Sequence, residues 1–155
     1  MASYGLPAWP WSDALADDLP APERLLLDAL RLWAREARRG APPEPALHTL
    51  LATEDAVAAA LPLDALLRAV TRAIGHLPAI GCPLCPVLCP AEADLLLACA
   101  LAQRGARGEA LAALMRWLPP LSAYAAMPTA IHLGIALRRA GLVLRHPLRP
   151  DLAGR

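Results

Sequence analysis

The chain has 155 residues, 57% of them hydrophobic, and a formal net charge of +1. That length supports one domain around a single core. The near-balanced charge excludes a basic footprint for nucleic acid or anionic lipid.

The composition is lopsided, with 35 Ala, 32 Leu, 17 Pro and 15 Arg and no Lys, Asn or Phe. The missing residues have AT-rich codons, so the pattern reads as GC-rich genome bias rather than selection for arginine's planar fork. Ala and Leu are strong helix formers and β-branched residues are scarce, so the expected fold is all-α. With few aromatics, Trp33 and Trp117 are expected to be the large core fillers.

Residues 1–20 read as an irregular arm, broken by Pro7, Pro10 and Pro20 and carrying Trp9 and Trp11. The arm lacks the basic and apolar regions of a secretory signal. A first helix is predicted over Pro22–Arg39, with Pro22 at its first position and Glu23 near the positive end of its dipole. Leu26, Leu30, Trp33 and Ala37 form its apolar stripe, and Gly40 is its stop. A short helix over Glu44–Leu51 and another helical turn from Thr53 to Pro62 follow. A helix over Leu63–Leu77 buries Leu63, Leu66, Leu67, Val70 and Ile74 and turns Arg68 and Arg72 to water.

Four prolines between Pro78 and Pro90 forbid a regular helix there. A fourth helix is expected over Pro90–Arg104, with Cys89 as N-cap and Glu92 at the third position of a capping box. A fifth helix covers Glu109–Leu118. The last runs from Leu121 or Pro128 to Ala140, and residues 145–155 form a polar tail. The uncharged stretch Leu118–Leu137 has the length of a membrane span. Its prolines, polar residues and alanines favour a buried core helix, with His132 buried and hydrogen-bonded. The whole reads as a compact bundle of five to six helices spanning residues 21–144, cytoplasmic, with no membrane or nucleic-acid partner.

Chemistry concentrates in the loop GCPLCPVLCP, residues 81–90, where Cys82, Cys85 and Cys89 are each followed by proline. Clustered thiols in a chain of low cysteine content suit metal or redox chemistry better than a disulfide framework. The order C-x2-C-x3-C-P matches part of a ferredoxin run, which points to an iron–sulfur cluster. Cys82-Pro-Leu-Cys85 also resembles a zinc knuckle, although Pro86 stands where glycine usually aims an N–H at sulfur. A Cys3His zinc site would recruit His76. Plain packing, with cysteine as a small hydrophobe, is the third possibility. Cys99 lies ten residues along the next helix, roughly 15 Å from Cys89 by helix rise, and reads as core. Cys89 at a helix N-terminus is expected to have a lowered thiol pKa.

No phosphate loop, dinucleotide fingerprint, metalloprotease or nucleophile-elbow motif occurs. The stretch over residues 79–104, with its Cys-Pro cluster and the helix CPAEADLLLACALAQRG, resembles a small helical family of high-GC alphaproteobacteria. That resemblance implies a helical fold and no assigned activity. The leading functional expectation is a non-catalytic interaction or regulatory protein whose loop, through Cys82, Cys85, Cys89 and His76, holds zinc or an iron–sulfur cluster. The alternatives are a metal-free helical accessory subunit, with a protein partner or a second copy, and a small thiol redox protein using Cys82 and Cys85.

Overall fold

The computed structural model describes residues 14–145. Trp9 and Trp11 of the arm, and the tail from residue 146, lie outside them. Six α-helices make up the fold: α1 (Ala21–Arg38), α2 (Glu44–Ala52), α3 (Ala60–Ile74), α4 (Pro90–Gln103), α5 (Arg107–Leu114) and α6 (Pro120–Arg139). Among the described residues there is no β-sheet, only an isolated antiparallel bridge between Leu15 and Val87.

The helices close a ring, with α1 on α2, α2 on α3, α3 on α6, α6 on α4 and α4 back on α1. Helix α5 docks on α4 and α6. From Leu95 to Gln103 every residue of α4 is buried. Such a helix is apolar on all sides because it stands at the centre. By contrast, α1 and α3 are amphipathic and present one face each to the core.

Proline marks four of the helix starts, where a missing N–H costs nothing. Several boundaries differ from the sequence expectation, and α5 spans Arg107–Leu114 rather than Glu109–Leu118. Thr53–Pro62 is not a separate helical turn: Asp55 turns the chain at φ +53°, Val57–Ala59 forms a 3-10 turn, and α3 begins at Ala60. Pro62 thus lies in the first turn of α3 instead of ending a helix, and Gly75 at φ +80° stops α3 before Leu77. The last helix starts at Pro120 and runs through Pro128 without breaking.

By length and composition α6 is apolar enough to cross a membrane. In the fold one of its faces, including Ala123, Ala126, Ala130, Leu133 and Leu137, is buried in the bundle. His132 lies on the other side and is exposed, correcting the expectation of a buried histidine. Trp33 is buried as expected, whereas Trp117 is only partly buried.

Candidate functional site: a proline-framed cysteine loop on a buried ion pair

The loop from Gly75 to Cys89 has no helix or sheet of its own, so its backbone polar groups need other partners. One ion pair supplies partners for four of them. Arg31 of α1 and Glu92 of α4 are both 0% exposed. Arg31 Nε donates to Glu92 Oε1 at 2.8 Å and Nη2 donates to Oε2 at 3.1 Å, a bidentate fork. Arg31 Nη1 also donates to the Cys85 carbonyl at 2.6 Å, and Nη2 to the Val87 carbonyl at 3.2 Å.

The carboxylate is used as fully. Glu92 Oε1 accepts from the Gly81 N–H at 2.9 Å, and Oε2 from the Cys89 N–H at 2.9 Å. The second of these is the return half of the expected capping box on Cys89. One buried pair therefore holds the loop at Gly81, Cys85, Val87 and Cys89. A Cβ at position 81 would stand 3.1 Å from Glu92 Oε1 and 3.4 Å from Cys85 Cβ, so glycine gives the loop its close approach. Burial pushes the Glu92 carboxyl up. The hydrogen bonds from Arg31, Cys89 and Gly81 and the Arg31 charge outweigh it and hold the carboxyl below the usual carboxylate range.

Further ties fix the loop's flanks. Arg38 donates to the Ile80 carbonyl. The Ala16 N–H donates to the Pro86 carbonyl at 2.7 Å, so the end of the arm is stitched to the loop beside the Leu15–Val87 bridge.

Within this frame Cys82-Pro-Leu-Cys85 forms a tight turn closed by the Cys85 N–H on the Cys82 carbonyl at 3.1 Å. Proline is favoured at the second position of such a turn, where Pro83 stands. The turn brings Cys82 Sγ and Cys85 Sγ to 2.8 Å, and the Cys82 N–H donates to Cys85 Sγ at 3.2 Å. Both thiols are free. The hydrogen bond from Cys85, with the backbone N–H groups of Leu84 and Cys85, pulls the Cys82 thiol below its ordinary value. The same thiol–thiol hydrogen bond raises Cys85.

The other expected ligands are arranged differently. Cys89 Sγ donates to the Ala79 carbonyl at 3.0 Å. Burial pushes its thiol up, against the expectation from the helix dipole. His76 is exposed, with Nδ1 at 2.8 Å from the Leu77 carbonyl. Cys99 is buried in α4, and burial alone pushes its thiol up to about 12. Among the described residues no group of three or more His, Cys, Asp or Glu side chains is arranged to hold a metal ion.

Sequence reasoning missed Arg31. Its signal was an arginine inside an apolar row, since Leu27, Arg31 and Ala34 fall at i, i+4 and i+7 of α1 and all are buried. The fold and site together define a helical bundle that presents a dithiol on a pinned loop. No protein-family model, curated protein or solved structure matches the chain.

Proposed function

We propose that the protein is a small thiol-responsive interaction protein whose working group is the Cys82/Cys85 dithiol. The observation that carries this reading is the tight Cys82-Pro-Leu-Cys85 turn, which sets two free thiols side by side on a loop pinned by a buried ion pair.

Cys82 is the exposed member and the one whose thiol is lowered, which suits it to attack. Its thiolate displaces one sulfur of an incoming disulfide, forming a mixed disulfide and releasing the first thiol. Cys85 loses its proton to solvent and attacks Cys82 Sγ. The intramolecular disulfide forms and the second thiol leaves, so the two cysteines are oxidised and the incoming disulfide is reduced. Leu84 between the two cysteines is 91% exposed, and Val87 and Leu15 beside it are also exposed. This apolar lip suits contact with a protein partner better than with a small hydrophilic thiol.

Trapping tests the reading. Cys85→Ser cannot complete the second step, so glutathione disulfide should leave a stable mixed disulfide on Cys82, while the parent protein closes the Cys82–Cys85 bridge. Absence of both products would contradict the reading. Stoichiometric zinc or iron in protein purified without air, lost in Cys82→Ser, would instead restore the metal-holding loop of Cys82, Cys85, Cys89 and His76. That site requires Cys89 Sγ to leave the Ala79 carbonyl.

A further inference from the structure

An open cleft of about 570 Å³ lies near the C-terminal ends of α1 and α3, within the roughly 300–1,000 Å³ of small-molecule sites. Trp33, Ala37, Pro42 and Leu77 give it apolar walls, and Arg68 and Arg72 of α3 stand on its polar side.

The arginines are set by a short relay. Trp33 Nε1 donates to Asp64 Oδ1 at 2.7 Å, and Arg68 Nε donates to Asp64 Oδ2 at 2.7 Å. Asp64 is thereby oriented by a buried indole and in turn fixes the Arg68 guanidinium. Both terminal nitrogens of Arg68 have no partner among the described residues. Arg72, one helical turn on, has no partner among them at all.

Like charges at i and i+4 repel one another, and one aspartate cannot neutralise two guanidinium groups. The C-terminal ends of α1 and α3 are the negative ends of their dipoles and oppose an anion in part, an effect that capping reduces. The α1 carbonyls of Arg35, Glu36 and Ala37 accept from Arg39, Gly40 and Ala41, and the α3 carbonyl of Thr71 accepts from Gly75. What faces the cleft is therefore a pair of positive forks beside an apolar wall. Guanidinium groups with free terminal nitrogens match the flat geometry of a carboxylate.

We infer that this cleft binds a small amphipathic carboxylate, its apolar body against Trp33, Ala37, Pro42 and Leu77 and its carboxylate between Arg68 and Arg72. The site takes Leu77 from the cysteine loop but uses neither Cys82 nor Cys85.

Octanoate is a suitable probe, followed on the reduced full chain through the indole N–H resonance of Trp33, assigned with Trp33→Phe. Octanoate should shift that resonance saturably below its micellar range. Octanol, which keeps the tail, and inorganic phosphate, which keeps only the charge, should each bind at least about tenfold more weakly. Arg72→Gln should weaken octanoate by about tenfold and Arg72→Glu by more, with the ligand-free Trp33 resonance unmoved as the control for folding. The inference is overturned by a resonance that does not saturate. It is equally overturned by octanol or phosphate binding as well as octanoate, or by both Arg72 variants binding like the parent.

Discussion

Arg31 illustrates how a composition argument and a local site can point in different directions. The absence of lysine reads as genome bias, yet at position 31 the planar fork is used in full, with four hydrogen bonds to Glu92, Cys85 and Val87. A lysine there would bring a single point charge and could not reproduce the bidentate geometry. Removing one member of a buried pair strands the other. Glu92→Gln is expected to destabilise the fold by about 3–5 kcal/mol, measured by denaturant unfolding. A pH signature accompanies it. The Glu92 carboxyl is lowered in the folded state relative to about 4.3 when unfolded. Its contribution is therefore complete above that unfolded value and is lost as pH falls through the lower folded value. Glu92→Gln should flatten the acid limb of the stability profile; an unchanged acid limb would mean that the pair contributes little.

The cysteines make a second prediction at the same scale. Cys82 is exposed and lowered, Cys89 is half-buried and raised, and Cys99 is sealed in α4 with its thiol near 12. Iodoacetamide mapping of the native protein at mildly alkaline pH should label Cys82 first and leave Cys99 unlabelled. Early labelling of Cys99 would show that α4 is not packed as described.

Among the elements, α6 comes close against α4 at Gly134. A Cβ on Gly134 would meet Gln103 Cα at 2.8 Å and the Gln103 backbone nitrogen at 3.1 Å. The Gln103 side chain spans the same contact, donating to the carbonyls of Gly134 and Leu142 and accepting from the Leu144 N–H at 2.7 Å. Gly134→Ala would gain about 1 kcal/mol of helix propensity on an isolated helix. Here it should instead lose about 1–3 kcal/mol by forcing the helices apart, read as a lower denaturation midpoint. A stabilised Gly134→Ala would contradict that close packing. Helix α1 was legible because its apolar stripe, N-terminal proline and glycine stop agree, whereas α3 was read from its stripe alone and three residues late at both ends. Helix α6 was harder to start. A proline at position 128 normally argues for a break, yet the helix runs through it with its alanine-rich face packed in the bundle. The exposure of His132 was not legible either, because small residues surround it on both faces of α6.

Over the whole molecule, composition carries the all-α class, and proline and glycine punctuation with the apolar stripes carries the expectation of five to six helices. The ring closure that brings α1 against α4 is a long-range arrangement, invisible to local pattern. Arg31 and Glu92 are 61 positions apart, and only that closure joins them. The cysteine loop was legible as chemistry from its spacing and prolines. Which of its groups face one another was not, since that depends on the carboxylate beneath the loop. The capping box placed Glu92 correctly at the start of α4. That it also serves Gly81 and Arg31 follows from tertiary structure alone.

In the proposed function Cys82 and Cys85 are a reversible dithiol that opens and closes on a constant helical frame. A glutathione redox titration of the full chain, quenched by alkylation and read by mass spectrometry alongside far-UV circular dichroism, tests it most directly. The expected result is a single two-electron transition, with loss of 2 thiols mapped to Cys82 and Cys85, full return on reduction, and constant helical signal. Oxidation that never joins Cys82 to Cys85, or that bridges them only as helicity collapses, would contradict it.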